Sequence, residues 1–187
     1  MRLYGEIGNK PGEAQAATNL ACAHFYLRRH QAARDAAQRA LIADRLAGDR
    51  YGEGLALSIL GSALRELGQL EEAVATLQQA LRKAQGLDGA DFESETLKDL
   101  GEAYLHLGQA HEAAAHLKMA ASIAEAVGNP HSQAASLRWL GQAQHQAGNT
   151  KEAHESLTEA LRLAESLGDQ GLIDEVRYDL GLLTETE

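Results

Sequence analysis

The side chains best able to do chemistry in this sequence are its eight histidines, its one cysteine and its acids. His111, Glu112 and His116 have the residue types of a helical zinc-hydrolase site, which needs two histidines four apart on one helix face and an acid between them as base. Here the histidines are five apart, which turns them about 140° from each other around a helix. Gly52-Glu53-Gly54 lacks the third glycine and the preceding strand of a dinucleotide-binding turn, and no phosphate-cradling glycine loop ending in Gly-Lys-Ser or Gly-Lys-Thr exists. Cys22 would be nucleophilic only beside a base, and a small apolar filler is the plainer reading. The sequence therefore predicts no enzyme, no cofactor and no metal.

The elements that carry these residues are read from composition. The 187 residues include 35 Ala and 29 Leu, about a third of the chain, with two prolines, so strong helix formers dominate and breakers are almost absent. Strands would need more β-branched and aromatic residues, so the expected class is all-α. Seventeen Lys and Arg against 27 Asp and Glu leave a net charge of −10, which repels phosphate backbones and predicts no direct nucleic-acid partner. One cysteine cannot form an internal disulfide, and no uncharged apolar run reaches the ~18 residues of a membrane span, so the expected setting is cytoplasmic, with no membrane partner.

A repeat runs through the chain. Leu20, Leu60, Leu100, Leu140 and Leu180 are 40 residues apart, followed by Ala21, Gly61, Gly101, Gly141 and Gly181. Gly68, Gly108 and Gly148 keep the same period, as do Ala33, Ala73, Ala113 and Ala153, and Ala40, Ala80, Ala120 and Ala160. Units close at Gly48-Asp49, Gly128-Asn129 and Gly168-Asp169, with the variant Gly86-Leu87-Asp88-Gly89. A glycine in mid-helix costs ~1 kcal/mol against alanine, so its recurrence beside each leucine implies another backbone too close for a side chain. Gly68, Gly108 and Gly148 suit the left-handed position that ends a helix, and Glu71, Glu72, Glu112 and Glu152 then fall in the first turn of the next helix, where its dipole favours acids. Leu77, between Ala73 and Ala80, is the expected knob.

LSILGSALRELGQLEEAVATLQQAL, LKDLGEAYLHLGQAHEAAAHLKMAA and LRWLGQAQHQAGNTKEAHESLTEAL resemble tetratricopeptide repeats across essentially the whole chain. The sequence departs from that pattern in its 40-residue period, its missing terminal proline, and Leu57, Leu97 and Leu137 at the first aromatic position. The longer period is expected to lengthen both helices. The resemblance implies a right-handed α-solenoid: residues 1–9 as the tail of a preceding helix, repeats at 10–49, 50–89, 90–129 and 130–169, and a capping helix at 170–187. Long repeats of this kind are similar to those of polarity adaptors, kinesin light chains and large bacterial signalling regulators, and the Lys-poor, Ala- and Arg-rich composition leans toward the bacterial group. Both ends read as cut, so a piece of a longer polypeptide is expected.

In this family the first helix of each repeat lines the concave face. By register, that face is expected to offer Phe25 and Tyr26 in the first repeat, and Arg65 and Glu66 in the second. The third offers Lys98, Glu102 and His106, the fourth Arg138, Trp139, Gln142 and His145, and Tyr178 continues the row. The mixture of aromatic anchors and both charge signs suits a protein or peptide partner. Packing between neighbouring first helices is the competing role for Phe25, Tyr26 and Trp139. His106 and His145, with Glu102, form either a polar groove or a metal or pH-sensitive contact; no second ligand pair supports the latter. Lys98, Arg138 and Asn19 are too scattered for a terminal-carboxylate clamp, and Ser62, Glu102, Gln142 and Leu182 replace the asparagine of the polarity adaptors. The resemblance implies a non-catalytic scaffold of a larger bacterial regulator, or else the ligand- or peptide-sensing domain of a bacterial transcriptional regulator. Leu172, Ile173, Val176 and Leu180 form a stripe on the last helix that is expected to be bare and to drive self-association through the solenoid ends.

Overall fold

A computed structural model describes residues 10–85 and 89–184. The expected helical tail at residues 1–9 and the 86–88 part of the second closure lie outside the described residues. Among the described residues there are nine α-helices and no strand: α1 (Lys10–Tyr26), α2 (His30–Ala47), α3 (Arg50–Glu66), α4 (Leu70–Ala84), α5 (Ala90–His106), α6 (Ala110–Val127), α7 (Pro130–Gln146), α8 (Thr150–Leu167) and α9 (Gln170–Thr184). No helix among them is long and apolar enough to cross a membrane.

The chain divides between Gly89 and Ala90 into two compact units. In unit 1, α1 pairs with α2 and α3 with α4, while α1 and α2 both pack on α3. In unit 2, α5 pairs with α6 and α7 with α8; α5, α7 and α9 lie side by side, α6 packs on α7, and α8 on α9. Each unit is a stack of helical hairpins, as the period requires.

Local signals set the turns. Gly68, Gly108 and Gly148 take φ of 76°, 76° and 81°, and Gly48, Gly128 and Gly168 take 71°, 73° and 69°, so each of these six turns closes on a left-handed glycine. Arg28 holds the same register as Gly68 and takes φ 55° without being glycine. Asp49, Asn129 and Asp169 cap the following helices by accepting from the amides of Gly52 (2.9 Å), Ser132 (3.1 Å) and Leu172 (3.1 Å).

The core is alanine and leucine. Leu77, Leu117 and Leu157 are buried, and each lies against a glycine of the preceding helix: a Cβ at Gly61, Gly101 or Gly141 would fall 2.5 Å from the Cγ of its leucine. In the first repeat the pair in the same register is Ala21 and Ala37, both buried in one cluster. Volume is exchanged across the contact, glycine plus leucine in three copies and two alanines in the fourth, as close packing demands. Gly181 continues the glycine register, but a Cβ there would meet nothing within 4 Å.

One expectation is overturned in unit 2. Leu172, Ile173 and Val176 are 9%, 7% and 0% exposed, in one cluster with Leu157, Leu163 and Ala164, with Leu180 packed at its edge. The stripe is covered because α9 lays its apolar side on α8. The exposed large hydrophobic side chains of α9, among the described residues, are Tyr178 and Leu182.

Candidate functional site

The first-helix face of unit 2 bears a cavity of about 470 Å³. Leu105 of α5, Leu157 of α8 and Leu182 and Leu183 of α9 supply its apolar lining, with Gly141 of α7. Its polar lining comes from His106 on α5, from Arg138, Gln142, His145 and Gln146 on α7, and from Tyr178 and Asp179 on α9, with Trp139 beside them. These positions converge because first helices one repeat apart lie side by side, so residues about 40 apart in sequence become neighbours.

Arg138 is held rather than free. Its Nε donates to Asp179 Oδ2 at 2.6 Å, its Nη1 donates to Glu175 Oε2 at 2.5 Å, and its guanidinium lies 5.1 Å from the Trp139 ring centroid. Gln142 Nε2 donates to the same Asp179 oxygen at 2.8 Å. Asp179 is only 5% exposed, so these bonds offset its desolvation. Trp139 meets His106 of the neighbouring first helix edge-on, with ring centroids 6.3 Å apart and planes at 61°. Trp139 packs against the neighbouring first helix and also lines the cavity.

The other candidates fall elsewhere. His145 shares the cavity with His106, but among the described residues no group of three or more His, Cys, Asp or Glu side chains is arranged to hold a metal ion. Glu102 is buried and does not line the cavity. Lys98 pairs with Glu95 at 2.5 Å, and the Ser132 hydroxyl donates to the other oxygen of that carboxylate. Burial would push Glu95 upward, but Lys98, Ser132 and His131 together hold it below its ordinary range. His116 stacks on Tyr104 at 5.3 Å with planes at 4°, and its burial pushes its pKa down. It packs as a flat filler.

Phe25, Tyr26, Arg65 and Glu66 belong to unit 1. Phe25 meets His30 edge-on at 5.7 Å and Tyr26 at 6.3 Å; Tyr26 is 84% exposed. Arg65 pairs with Glu66 at 3.1 Å, and His30 Nε2 lies 3.9 Å from Glu66.

Sequence reasoning missed Glu175 and Asp179. Their signal was present: polar pairs across neighbouring first helices lie about one repeat apart, shifted by less than a turn. Arg138 with Glu175, Gln142 with Asp179 and Ser132 with Glu95 are 37 apart, Asn129 with Asp91 is 38 apart, and Arg138 with Asp179 is 41 apart.

The comparisons agree with this architecture. A family model described as tetratricopeptide repeat matches residues 52–126 and 92–166, more than half the chain. A search of curated protein sequences finds no match. Among solved structures, the chain is similar to aspartyl phosphate phosphatase F from Bacillus subtilis, at TM-score 0.82 and 18% identity, covering 92% of this chain and 45% of that one. It is similar to a Rap protein complexed with Competence and Sporulation Factor, at TM-score 0.82 and 21% identity, covering 92% of this chain and 52% of that one. A signal-transduction ATPase with numerous domains and a tetratricopeptide repeat sensor, from Pyrococcus horikoshii, aligns at TM-score 0.79 and 16% identity over 93% of this chain and 27% of its own. The chain therefore spans about half or less of these proteins, and at such identities the likeness is one of fold.

Proposed function

We propose, from the premise that the chain belongs to the tetratricopeptide repeat family, that it is a non-catalytic binding scaffold whose first-helix face in unit 2 takes a protein or peptide segment. The observation that carries this reading is the 470 Å³ cavity, whose lining combines leucines and Trp139 with the polar side chains of His106, His145 and Gln142. A concave apolar site with a few fixed polar groups is what an anchor side chain of a partner requires. Tyr178, 68% exposed at the rim, is free to close over such an anchor by rotating its side chain. The setting is the cytoplasm, where a single cysteine stays reduced.

A peptide selected from a library on the intact protein provides the probe. His106→Ala and Tyr178→Ala should each weaken its binding by about tenfold, with helical content unchanged by circular dichroism. The outer-face changes Gln79→Ala and Lys118→Ala, at exposed positions, should leave the affinity alone. The reverse pattern would move the site to the second helices. Arg138→Ala is the poorer test, because it also strands the buried Asp179 carboxylate.

A second reading, a ligand- or peptide-sensing domain of a larger bacterial regulator, draws support from the fold likeness to the Rap protein in complex with its factor and to the multidomain ATPase with a repeat sensor. An NTPase or winged-helix segment in the same reading frame is its expected signature. A frame holding the repeats alone would overturn it.

A further inference from the structure

Asp44, near the end of α2, is 1% exposed and has no part in the binding reading above. In the same register the other three repeats carry Ala84, Ala124 and Ala164, all buried. The facing position is changed to match: α3 has Gly52 where the later copies have Phe92, Ser132 and Leu172, and a Cβ on Gly52 would fall 2.5 Å from Asp44 Oδ1. A niche has thus been opened in unit 1 for one carboxyl group.

The niche is polar but incompletely bonded. Asp44 Oδ2 and Thr18 Oγ1 of α1 are both buried without a well-formed hydrogen bond, yet the Thr18 hydroxyl is near enough to act on the carboxyl. The charges that act on the carboxyl are acids, Asp49 at the cap of α3 and Glu53 one turn on. Asp49 Oδ1 accepts from the Gly52 amide, and Lys83 of α4 is engaged by Glu53 at 2.5 Å. An ionised carboxylate here is desolvated and repelled by Asp49 and Glu53, with the Thr18 hydroxyl as a partial answer, whereas the neutral acid meets neither cost.

We propose that Asp44 is a proton-operated latch for α1: as the neutral acid beside Thr18 it lets α1 pack closely on α2 and α3, and on losing its proton to solvent it places in that interface a desolvated charge that Asp49 and Glu53 repel and the Thr18 hydroxyl offsets only in part, which loosens α1. Burial first, then Asp49 and Glu53, push the carboxyl up to about 6, while the Thr18 hydroxyl pulls it back in part. The transition therefore falls above the ordinary carboxylate range. Because α1 carries Phe25 and Tyr26, the latch governs how firmly that helix presents its aromatic end.

Hydrogen exchange of the intact chain at about pH 5 and about pH 7.5, corrected for intrinsic rates, tests the latch. Amides of α1 in the wild type should exchange about tenfold or more faster, after correction, at the higher pH. Asp44→Asn should remove that difference and keep α1 protected at both values, because an amide stays neutral at any pH. Asp44→Ala, which restores the residue of the sister repeats, should also be insensitive to pH. Equal α1 protection at both values in the wild type, or the same pH response in Asp44→Asn, would overturn the proposal. A carbon-13 titration of the Asp44 carboxyl in the wild type gives an independent reading, and a midpoint at the ordinary value near 3.8 would also overturn it.

Discussion

Two glycines in one register show how far the meaning of a residue depends on what faces it. A Cβ at Gly141 would lie 2.5 Å from Leu157 Cγ and 3.2 Å from the Ala153 carbonyl oxygen, so the backbone as well as the knob blocks it. Gly141→Ala should destabilise by about 1–3 kcal/mol despite the better helix propensity of alanine, because α7 and α8 must part. At Gly181 the same Cβ meets open space, so Gly181→Ala should stabilise by up to ~1 kcal/mol. Urea melts of the two variants check the opposite signs. Titratable residues divide in the same way. Asp44, raised from 3.8 to about 6, contributes stability that is complete below 3.8 and lost as pH rises through 6. His116, lowered from 6.5 by burial, contributes stability that is present above 6.5 and lost as pH falls through its folded value. Acidification should therefore tighten α1 while exposing amides of α6, and His116→Phe should abolish the second effect in hydrogen exchange.

At the scale of elements, the hairpin closures separate what is required from what is tolerated. Gly68, Gly108 and Gly148 sit at a left-handed φ, and Arg28 occupies the same turn: its amide donates to the Phe25 carbonyl as that of Gly68 donates to Arg65, both at 2.9 Å. A side chain in that region costs ~1 kcal/mol, partly offset by the greater unfolded-state freedom of glycine. Arg28→Gly should raise the stability of unit 1 by about 0.5–1 kcal/mol in denaturant melts. No change, or a loss, would mean that the Arg28 side chain makes contacts worth more than its strain. The acids at Glu71, Glu72, Glu112 and Glu152 fall in first helical turns as their spacing implied. Side-chain caps at Asp49, Asn129 and Asp169 complete the longer interrepeat turns.

At the scale of the molecule, the covered stripe of α9 changes what its variants should do. With Ile173 and Val176 buried against α8, Val176→Asp places an unpaired charge in the core of unit 2. It should lower the melting temperature sharply. If that stripe instead joined two chains, the same change would reduce an oligomer to a monomer in light scattering at little cost in stability. Melting and mass measured on one sample distinguish the two.

The 40-residue period, the glycine–leucine pairs and the left-handed closures made the hairpins legible, because they are consequences of short-range geometry repeated several times. The sequence alone also placed His106, Trp139, Gln142 and Tyr178 on first helices, and the cavity brings these four together. It did not reveal that Arg138 is occupied, since the acids that hold it, Glu175 and Asp179, lie 37 and 41 residues away on a helix whose lateral shift depends on packing. Nor did it reveal the Asp44 niche. An aspartate in an alanine register and a glycine eight residues later are unremarkable until α2 and α3 are laid together. Period and turn chemistry are properties of the chain and can be read along it, whereas the partner of a charge and the volume left for a carboxyl are decided only where helices from different repeats meet.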